Sequence, residues 1–204
     1  MSIPRVTYQP LFHGYPIQAS LAYGLGCRED ILDRQRALAE RSVAERSRSF
    51  FMRLDFRFPL GYDPSSQDGV FRRFMASFVT HLRRHGLSPL YLWAREQGEG
   101  PNPHVHVALW LNGSETRSAY GHWAKAVELW GMALGMDAKG LVHLCPTAID
   151  GKAMDGVMID RRAEDFQERF DHCFHWGAYL SKAKNKGDAP YHAREFGSSQ
   201  IPRL

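Results

Sequence analysis

Two apolar segments joined by a short glycine- and proline-rich link constrain the fold of this chain more than any other feature. PLYLWAREQ spans residues 89–97, HVHVALWLN spans residues 104–112, and GEGPNP joins them. Each segment has the length and composition of a buried strand, and a six-residue link predicts an antiparallel hairpin. We therefore expect an antiparallel sheet that contains this hairpin.

The order of the other segments predicts an α+β domain with helices flanking an antiparallel central sheet. Alternating apolar residues indicate a strand over 50–59, and GLVHLCP and GVMID are two further short strand candidates. Apolar residues at helical spacing or helical composition predict helices over 28–49, 70–86, 118–134 and 161–186. We divide the chain into an N-terminal arm with one helix (1–45) and a main domain (46–204).

Clustered positive charge suggests a polyanionic partner, although a run of charges is more often just a solvated face. The whole chain carries 26 Lys and Arg against 22 Asp and Glu. Between residues 69 and 95 there are five arginines and no acid, namely Arg72, Arg73, Arg83, Arg84 and Arg95. Two similar clusters lie within residues 46–58 and 179–186. The candidate DNA contacts from the three clusters are Arg53, Arg57, Arg95, Lys184 and Lys186.

The three cysteines predict neither a disulfide framework nor a zinc ribbon. Cys27, Cys145 and Cys173 are odd in number and widely spaced, and no CxxC pair occurs. The amino terminus has no apolar leader region, and no run approaches 18 apolar residues. We expect a protein of the reducing cytoplasm with no membrane partner.

His104 and His106 begin the second strand of the hairpin. Alternate residues of a strand share one face, about 7 Å apart, so both imidazoles can reach one divalent ion. Glu96, near the end of the partner strand, can supply a third ligand and leave open coordination positions, as a catalytic site requires. A partly solvated histidine pair, and a Glu96 paired with Arg95, remain open alternatives.

Tyr179 and Lys182 stand three residues apart in the predicted last helix, and Lys186 follows four residues later. This spacing predicts one shared helical face, which His172 and His175 continue backwards. A tyrosine has a pKa of about 10 and is a poor nucleophile at neutral pH. A nearby ammonium group and a metal-polarised electrophile can offset this. A structural role for Tyr179 in the core is the alternative.

An HxH strand after an acid-bearing strand, followed some seventy residues later by YxxK, resembles the HUH endonuclease superfamily. Four local segments narrow the resemblance: RLDFRFP, YLWAREQGEGPNPHVHVALWLNG, AYLSKAKNK and REFGSSQ. They look like the replication proteins of filamentous phages (inovirus type) and the related YagK/YfjJ-type prophage proteins. The resemblance covers roughly residues 46–200, and the first 45 lie outside it.

This resemblance implies an HUH (RRM-like) endonuclease fold and a rolling-circle replication initiator in a bacterial host cell. It implies that Mg or Mn is held by His104, His106 and Glu96. Tyr179 would attack single-stranded or melted origin DNA and become joined to the 5′ phosphate, while Lys182 steadies phosphate charge. Such an enzyme is a single-strand endonuclease and strand transferase with a tyrosine nucleophile.

Departures from the family keep other functions open. No GxxxxGK[ST] loop occurs, so unwinding would need a host helicase, and extension of the nicked strand a host polymerase. Asp55, within RLDFRFP, has two interpretations: part of the site, or an ion pair with Arg53 or Arg57. Alternatives are a single-tyrosine transposase, a relaxase, which generally brings a third histidine, and a non-catalytic DNA-binding regulator. No oligomeric state is predicted.

Overall fold

The computed structural model describes residues 4–63, 65–97, 103–184, 186 and 194–200. In this part of the chain, four α-helices and a six-stranded antiparallel sheet give the predicted α+β fold. The helices are α1 (Glu29–Glu45), α2 (Gln67–Arg84), α3 (Tyr120–Leu134) and α4 (Phe166–Gly177), and a 3₁₀ turn (Ala178–Ser181) follows α4. The strands are β1 (Val6–Thr7), β2 (Leu11–Phe12), β3 (Tyr15–Pro16), β4 (Cys27–Arg28), β5 (Arg48–Arg57), β6 (Leu90–Glu96), β7 (His104–Asn112), β8 (Val142–Leu144), β9 (Thr147–Ile149), β10 (Lys152–Met154), β11 (Val157–Asp160) and β12 (Phe196–Ser198).

Strand β7 lies at the centre of the main sheet, between β5 and β6. The predicted hairpin of β6 and β7 is confirmed, with Glu96 directly opposite His104. Strand β12 pairs with the outer edge of β6, while β11 and β8 pair with the two ends of β5. The remaining short strands form three separate pairs: β1 with β4, β2 with β3, and β9 with β10.

Helices cover both faces of this sheet, which is why its central strands are apolar along nearly their whole length. The α1/α4 face carries side chains such as Phe51, Ala108 and Trp110, which pack on α1 and α4. The α2/α3 face carries Phe56 and Leu109, which pack on α2 and α3. Successive residues of a strand point to opposite faces, so each central strand contributes to two cores. None of the helices in the described segments is long and apolar enough to span a bilayer.

The last helix is shorter than the sequence predicts. It ends at Gly177, the 3₁₀ turn ends at Ser181, and Lys182 has an extended ψ of 126°. Lys182 instead forms a β-bridge with Cys27, and the N–H of Ala183 donates to the carbonyl of Gly26 at 2.8 Å. Pairing with the N-terminal segment replaces the helical hydrogen bonds here. The prediction that Tyr179, Lys182 and Lys186 share one helical face is therefore wrong.

The N-terminal segment packs against the sheet. Helix α1 buries Ile31, Leu32 and Leu38 completely in the α1/α4 core. Its observed bounds lie inside the predicted 28–49, because the chain leaves the helix at Arg46 in an extended conformation to enter β5. The division between arm and main domain at residue 45 stays a prediction.

Candidate active site at the end of the central hairpin

The register of three strands brings polar side chains together at one end of the α1/α4 face. His106 on β7 lies directly opposite Asp55 on β5, and His104 lies opposite Glu96 on β6. Because His104 and His106 are two residues apart on β7, both side chains belong to this face. The site is thus built on the central strands of the sheet and not on loops.

His106 is held between two carboxylates. Its Nδ1 lies 2.7 Å from Oδ1 of Asp55, and its Nε2 lies 3.1 Å from Oε2 of Glu96. The residue is only 3% exposed. Burial alone would lower the pKa of His106, but the hydrogen bonds to Asp55 and Glu96 outweigh burial and raise it. Two ionised carboxylates as partners favour the imidazolium form, in which both ring nitrogens donate a hydrogen bond.

Asp55 connects His106 to an arginine. Its Oδ1 lies 3.6 Å from Nη2 of Arg53, in addition to the bond from His106. Burial opposes ionisation of Asp55, but His106 and Arg53 outweigh it, so the pKa of Asp55 is lowered. Of the two interpretations offered by the sequence, the ion pair of Asp55 with Arg53 is observed; Asp55 also lies beside His106, and its functional role stays a prediction.

Tyr179 lies against the same histidine. The Tyr179 and His106 ring centroids are 5.0 Å apart and the rings are nearly perpendicular, at 78°. Two cations lie over the tyrosine ring, with Nζ of Lys182 at 3.8 Å and Cζ of Arg53 at 4.5 Å from its centroid. Burial and the charges of Glu96 and Asp55 raise the pKa of Tyr179, and Arg53 opposes this. The structure thus brings the predicted nucleophile and the predicted ligand strand into one cluster.

The two predicted lysines of the YxxK segment differ in environment. Burial lowers the pKa of Lys182, partly opposed by Glu96. The Lys186 side chain is 1% exposed, and its Nζ lies 3.9 Å from Oε2 of Glu96. Burial lowers the pKa of Lys186 to about 8, again against the attraction of Glu96. Both lysines reach the site even though they do not lie on one helix.

Two of the predicted metal ligands are spaced as a metal ion requires. Ligand atoms about 2.1 Å from one ion and at right angles to each other lie about 3 Å apart. Nε2 of His106 and Oε2 of Glu96 are 3.1 Å apart. Asp55 bonds to the other ring nitrogen, which is the partner that fixes the tautomer of a ligating histidine. A divalent ion would replace the proton between His106 and Glu96.

His104 does not converge on this position. The ring centroids of His104 and His106 are 6.5 Å apart, whereas rings that ligate one ion at right angles lie about 4 to 5 Å apart. Burial, Arg57 and His106 lower the pKa of His104, which favours the neutral form that binds metals. In the described residues, no group of three His, Cys, Asp or Glu side chains is arranged to hold a metal ion. His104 needs another rotamer to join the pair.

The predicted DNA contacts are divided between the surface and the interior. Arg57 and Lys184 are exposed, while Arg53 is 5% exposed and donates to the carbonyl of Trp176 at 3.2 Å. Arg95 lies on the α2/α3 face, where its Nη2 donates to Oε1 of Gln67 at 2.7 Å. Its guanidinium is therefore on the other side of the sheet from Glu96.

Sequence reasoning did not place Arg53 on the tyrosine or Cys145 beside Asp55. The Cys145 thiol contacts the Asp55 carboxylate and its pKa is raised by burial. One signal was present for Arg53: residues 53, 55 and 57 alternate in RLDFRFP, so their side chains share a face. The register between β5 and β7, which are some fifty residues apart, has no comparable signal in the sequence.

Comparison with known proteins assigns the chain to a family. A model of the YagK/YfjJ C-terminal domain matches residues 9–199. The chain belongs to the YagK/YfjJ C-terminal domain family. No curated protein and no solved structure matches this YagK/YfjJ-family chain. The family match carries no statement about HUH endonucleases or filamentous-phage initiators, so that resemblance and the functions it implies stay predictions.

Proposed function

We propose that this YagK/YfjJ-family chain is a metal-dependent DNA nicking and joining enzyme that initiates rolling-circle replication of a phage or prophage. One observation carries the proposal. The Tyr179 ring lies 5.0 Å from the ring of His106, a histidine whose Nε2 is 3.1 Å from Glu96. A phenol, the proposed ligand pair and two cations thus lie close together, and in-line attack on a phosphodiester requires groups of these kinds near one another.

His106 and Glu96, joined by His104 after a rotamer change, would hold Mg or Mn. When bound, such an ion neutralises phosphate charge as a Lewis acid. Asp55 orients His106 by accepting from Nδ1, so that Nε2 points towards Glu96. Arg53 helps to hold this arrangement, because it contacts both Asp55 and the Tyr179 ring.

Tyr179 is the nucleophile. Its phenol oxygen forms a bond to phosphorus while the bond from phosphorus to the 3′ oxygen breaks, and the phenol proton is in net transferred to that 3′ oxygen. The product is a 5′-phosphotyrosine and a free 3′ hydroxyl for a polymerase. A new phosphodiester replaces the phosphotyrosine ester when a 3′ hydroxyl attacks it, so joining needs no ATP.

Positive charge next to the tyrosine would partly offset the burial and the carboxylates that raise its pKa. The Lys182 ammonium is 3.8 Å from the ring centroid, and Arg53 is close by. A fixed cation stabilises the negative charge that develops on the phenol oxygen and on the phosphate in the transition state. The exposed Arg57 and Lys184 are then the predicted contacts with the flanking backbone.

The test is a covalent adduct on a denaturing gel. Single-stranded oligonucleotides of randomised sequence, labelled at the 3′ end, are incubated with the protein and manganese. We expect a labelled species at the mass of protein plus DNA, absent in Tyr179→Phe and retained in Tyr120→Phe, which alters an exposed tyrosine outside the site. A 5′ label should stay free, since the 5′ phosphate is the end attached to the protein. An adduct that persists in Tyr179→Phe would assign the nucleophile elsewhere.

A DNA-binding regulator without catalysis is the second candidate function. It is favoured by the two hydrogen bonds of His106, since an imidazolium between carboxylates is also a satisfied structural unit. The same experiment separates the two. A regulator would bind the oligonucleotides, seen as a mobility shift on a native gel, and would form no covalent adduct with either label.

A further inference from the structure

On the α2/α3 side, a groove of about 360 Å³ lies between α2, β6 and the edge strand β12. Three arginines line it: Arg72 and Arg83 from α2, and Arg194 next to β12. No aspartate or glutamate is among the described residues that line the groove. Two acids lie close by. Oδ2 of Asp68 is 3.3 Å from Nε of Arg72, in a pair whose arginine is 64% exposed, and Glu195, next to Arg194, pairs with Arg28. An exposed ion pair such as that of Asp68 with Arg72 is weak, so Arg72 remains available to bind another anion.

The floor of this groove is aromatic. Tyr91 and Trp93 contribute from β6, and Trp93 packs edge-on against Phe71 with ring centroids 5.3 Å apart. Gly197 of β12 lies directly opposite Trp93, and a Cβ there would come within 2.7 Å of its Nε1. The absence of a side chain at Gly197 is therefore what lets the indole lie against the edge strand.

The wall formed by α2 is suited to an extended chain of negative charges. Arg72 and Arg83 are eleven residues apart, which places them on one side of the helix and about 16 Å apart along its axis. Ala76 and Thr80, one and two turns after Arg72, line the groove between them. Small side chains between two guanidinium groups leave room for a backbone to pass along the helix.

We infer that this groove binds single-stranded nucleic acid, with phosphates on the three arginines and bases against the aromatic floor. A cationic rim beside a partly exposed aromatic side chain suits unstacked nucleotides, since the phosphates require charge and the bases require apolar contact. Tyr91 is half-buried and Trp93 is 7% exposed, so Tyr91 would supply most of the contact with a base. An acidic peptide would use the arginines but would gain little from the aromatic floor. This surface differs from the proposed active site, which lies on the α1/α4 face, and the inference goes beyond the proposed function because binding here needs no cleavage.

The test uses the full chain carrying Tyr179→Phe, so that no covalent product forms. We compare a groove variant, Arg72→Ser with Arg83→Ser and Arg194→Ser, with a control that removes three exposed arginines elsewhere: Arg34→Ser with Arg117→Ser and Arg162→Ser. The two variants lose the same charge. Binding of a fluorescein-labelled single-stranded 16-mer is measured by anisotropy from low to high salt.

We expect the groove variant to bind at least tenfold more weakly than the control. Its plot of log K against log salt should be shallower by about 2, as expected for three lost contacts to a single strand. Equal losses in both variants would show a general charge effect and overturn the inference. Displacement of the 16-mer by a polyglutamate peptide as readily as by unlabelled DNA would overturn it too.

A second measurement locates the strand directly. Oligonucleotides with 5-iododeoxyuridine are crosslinked to the same protein by light, and the attached residues are identified by mass spectrometry. Crosslinks at Tyr91 or Trp93 support the groove, whereas crosslinks found only around His106 contradict it. If the wild-type chain forms no adduct at Tyr179 and the groove crosslinks persist, the proposed function fails and this inference stands.

Discussion

His106 contacts side chains from three other parts of the candidate site. It bonds to Asp55 and Glu96 and contacts the Tyr179 ring, and it is almost completely buried. A buried ring with both nitrogens engaged has little rotational freedom, so its position is set by the sheet. For the proposed function, this means that the direction of Nε2 depends on Asp55, a residue that would not itself touch the ion or DNA.

Replacing Asp55 by asparagine should therefore weaken metal binding without removing a ligand. We expect Asp55→Asn to lower manganese affinity about 10- to 100-fold, because partners that orient a ligating histidine typically contribute that much. Titration calorimetry measures the affinity, and circular dichroism checks that the fold is retained. Asp160→Asn is the matched control, since that aspartate bonds to Arg48 at the edge of the sheet. Unchanged affinity in Asp55→Asn would exclude its orienting role.

At the scale of elements, the close packing of α1 against the end of α4 fixes the segment that carries Tyr179. Gln35 of α1 is fully buried, and its Nε2 donates to the carbonyl of Phe174 at 2.7 Å. A Cβ at Gly177 would lie 2.8 Å from that Nε2 and 3.2 Å from Cζ of Phe51. Glycine is thus required where the two helices meet, two residues before Tyr179.

Gly177→Ala should destabilise the protein. Because Gln35 is held by its own hydrogen bond and Phe51 belongs to a central strand, neither can move freely, and we expect a loss of about 1 to 3 kcal/mol in the free energy of unfolding. Urea denaturation measures it. Gly121→Ala in α3 is the control: its Cβ would meet no atom within 4 Å, so that variant should be neutral or up to about 1 kcal/mol more stable. Equal stability of the two variants would contradict close packing at Gly177.

Elements with a local signal could be predicted from the sequence, and those created by distant pairing could not. The hairpin and the stop of α3 at Gly135, which has a φ of 71°, follow from turn residues and periodicity. Strand β12 and the extended run at Lys182 depend on pairing with β6 and with Cys27, far away in the chain. The positions of His106 and Glu96 follow from the hairpin and were predictable. Asp55 contacts His106 only because β5 pairs with β7, and the sequence has no local signal for that pairing.

At the scale of the whole molecule, several histidines make stability depend on pH. Burial is the largest cause of a lowered pKa at four histidines outside the site, namely His81, His122, His172 and His175. An unfolded chain binds protons at these residues near a pKa of about 6.5, while the folded protein binds them only at lower pH. The free energy of unfolding therefore falls as pH drops below that value. His106, whose pKa is raised, acts in the opposite sense, and His104, whose pKa is lowered, acts in the same sense as the four.

We expect the urea midpoint to decrease between pH 7.5 and pH 5.5. The midpoint of His122→Gln should decrease less over the same interval, because the variant lacks one of the groups that take up a proton on unfolding. Glutamine can still form a hydrogen bond with Thr116, whose hydroxyl lies 2.8 Å from Nε2 of His122. Midpoints that are flat, or that rise on acidification, would contradict the lowered pKa values.

The bridge between Cys27 and Lys182 links the start of the chain to the segment just after Tyr179. Because a chain is synthesised from its N-terminus, Gly26 and Cys27 must wait for the residues around Lys182 before this bridge can form. Glu96 and His106 are made between the two. Under the proposed function, the residues that would hold the ion are therefore synthesised before the bridge can fix the segment that carries the nucleophile.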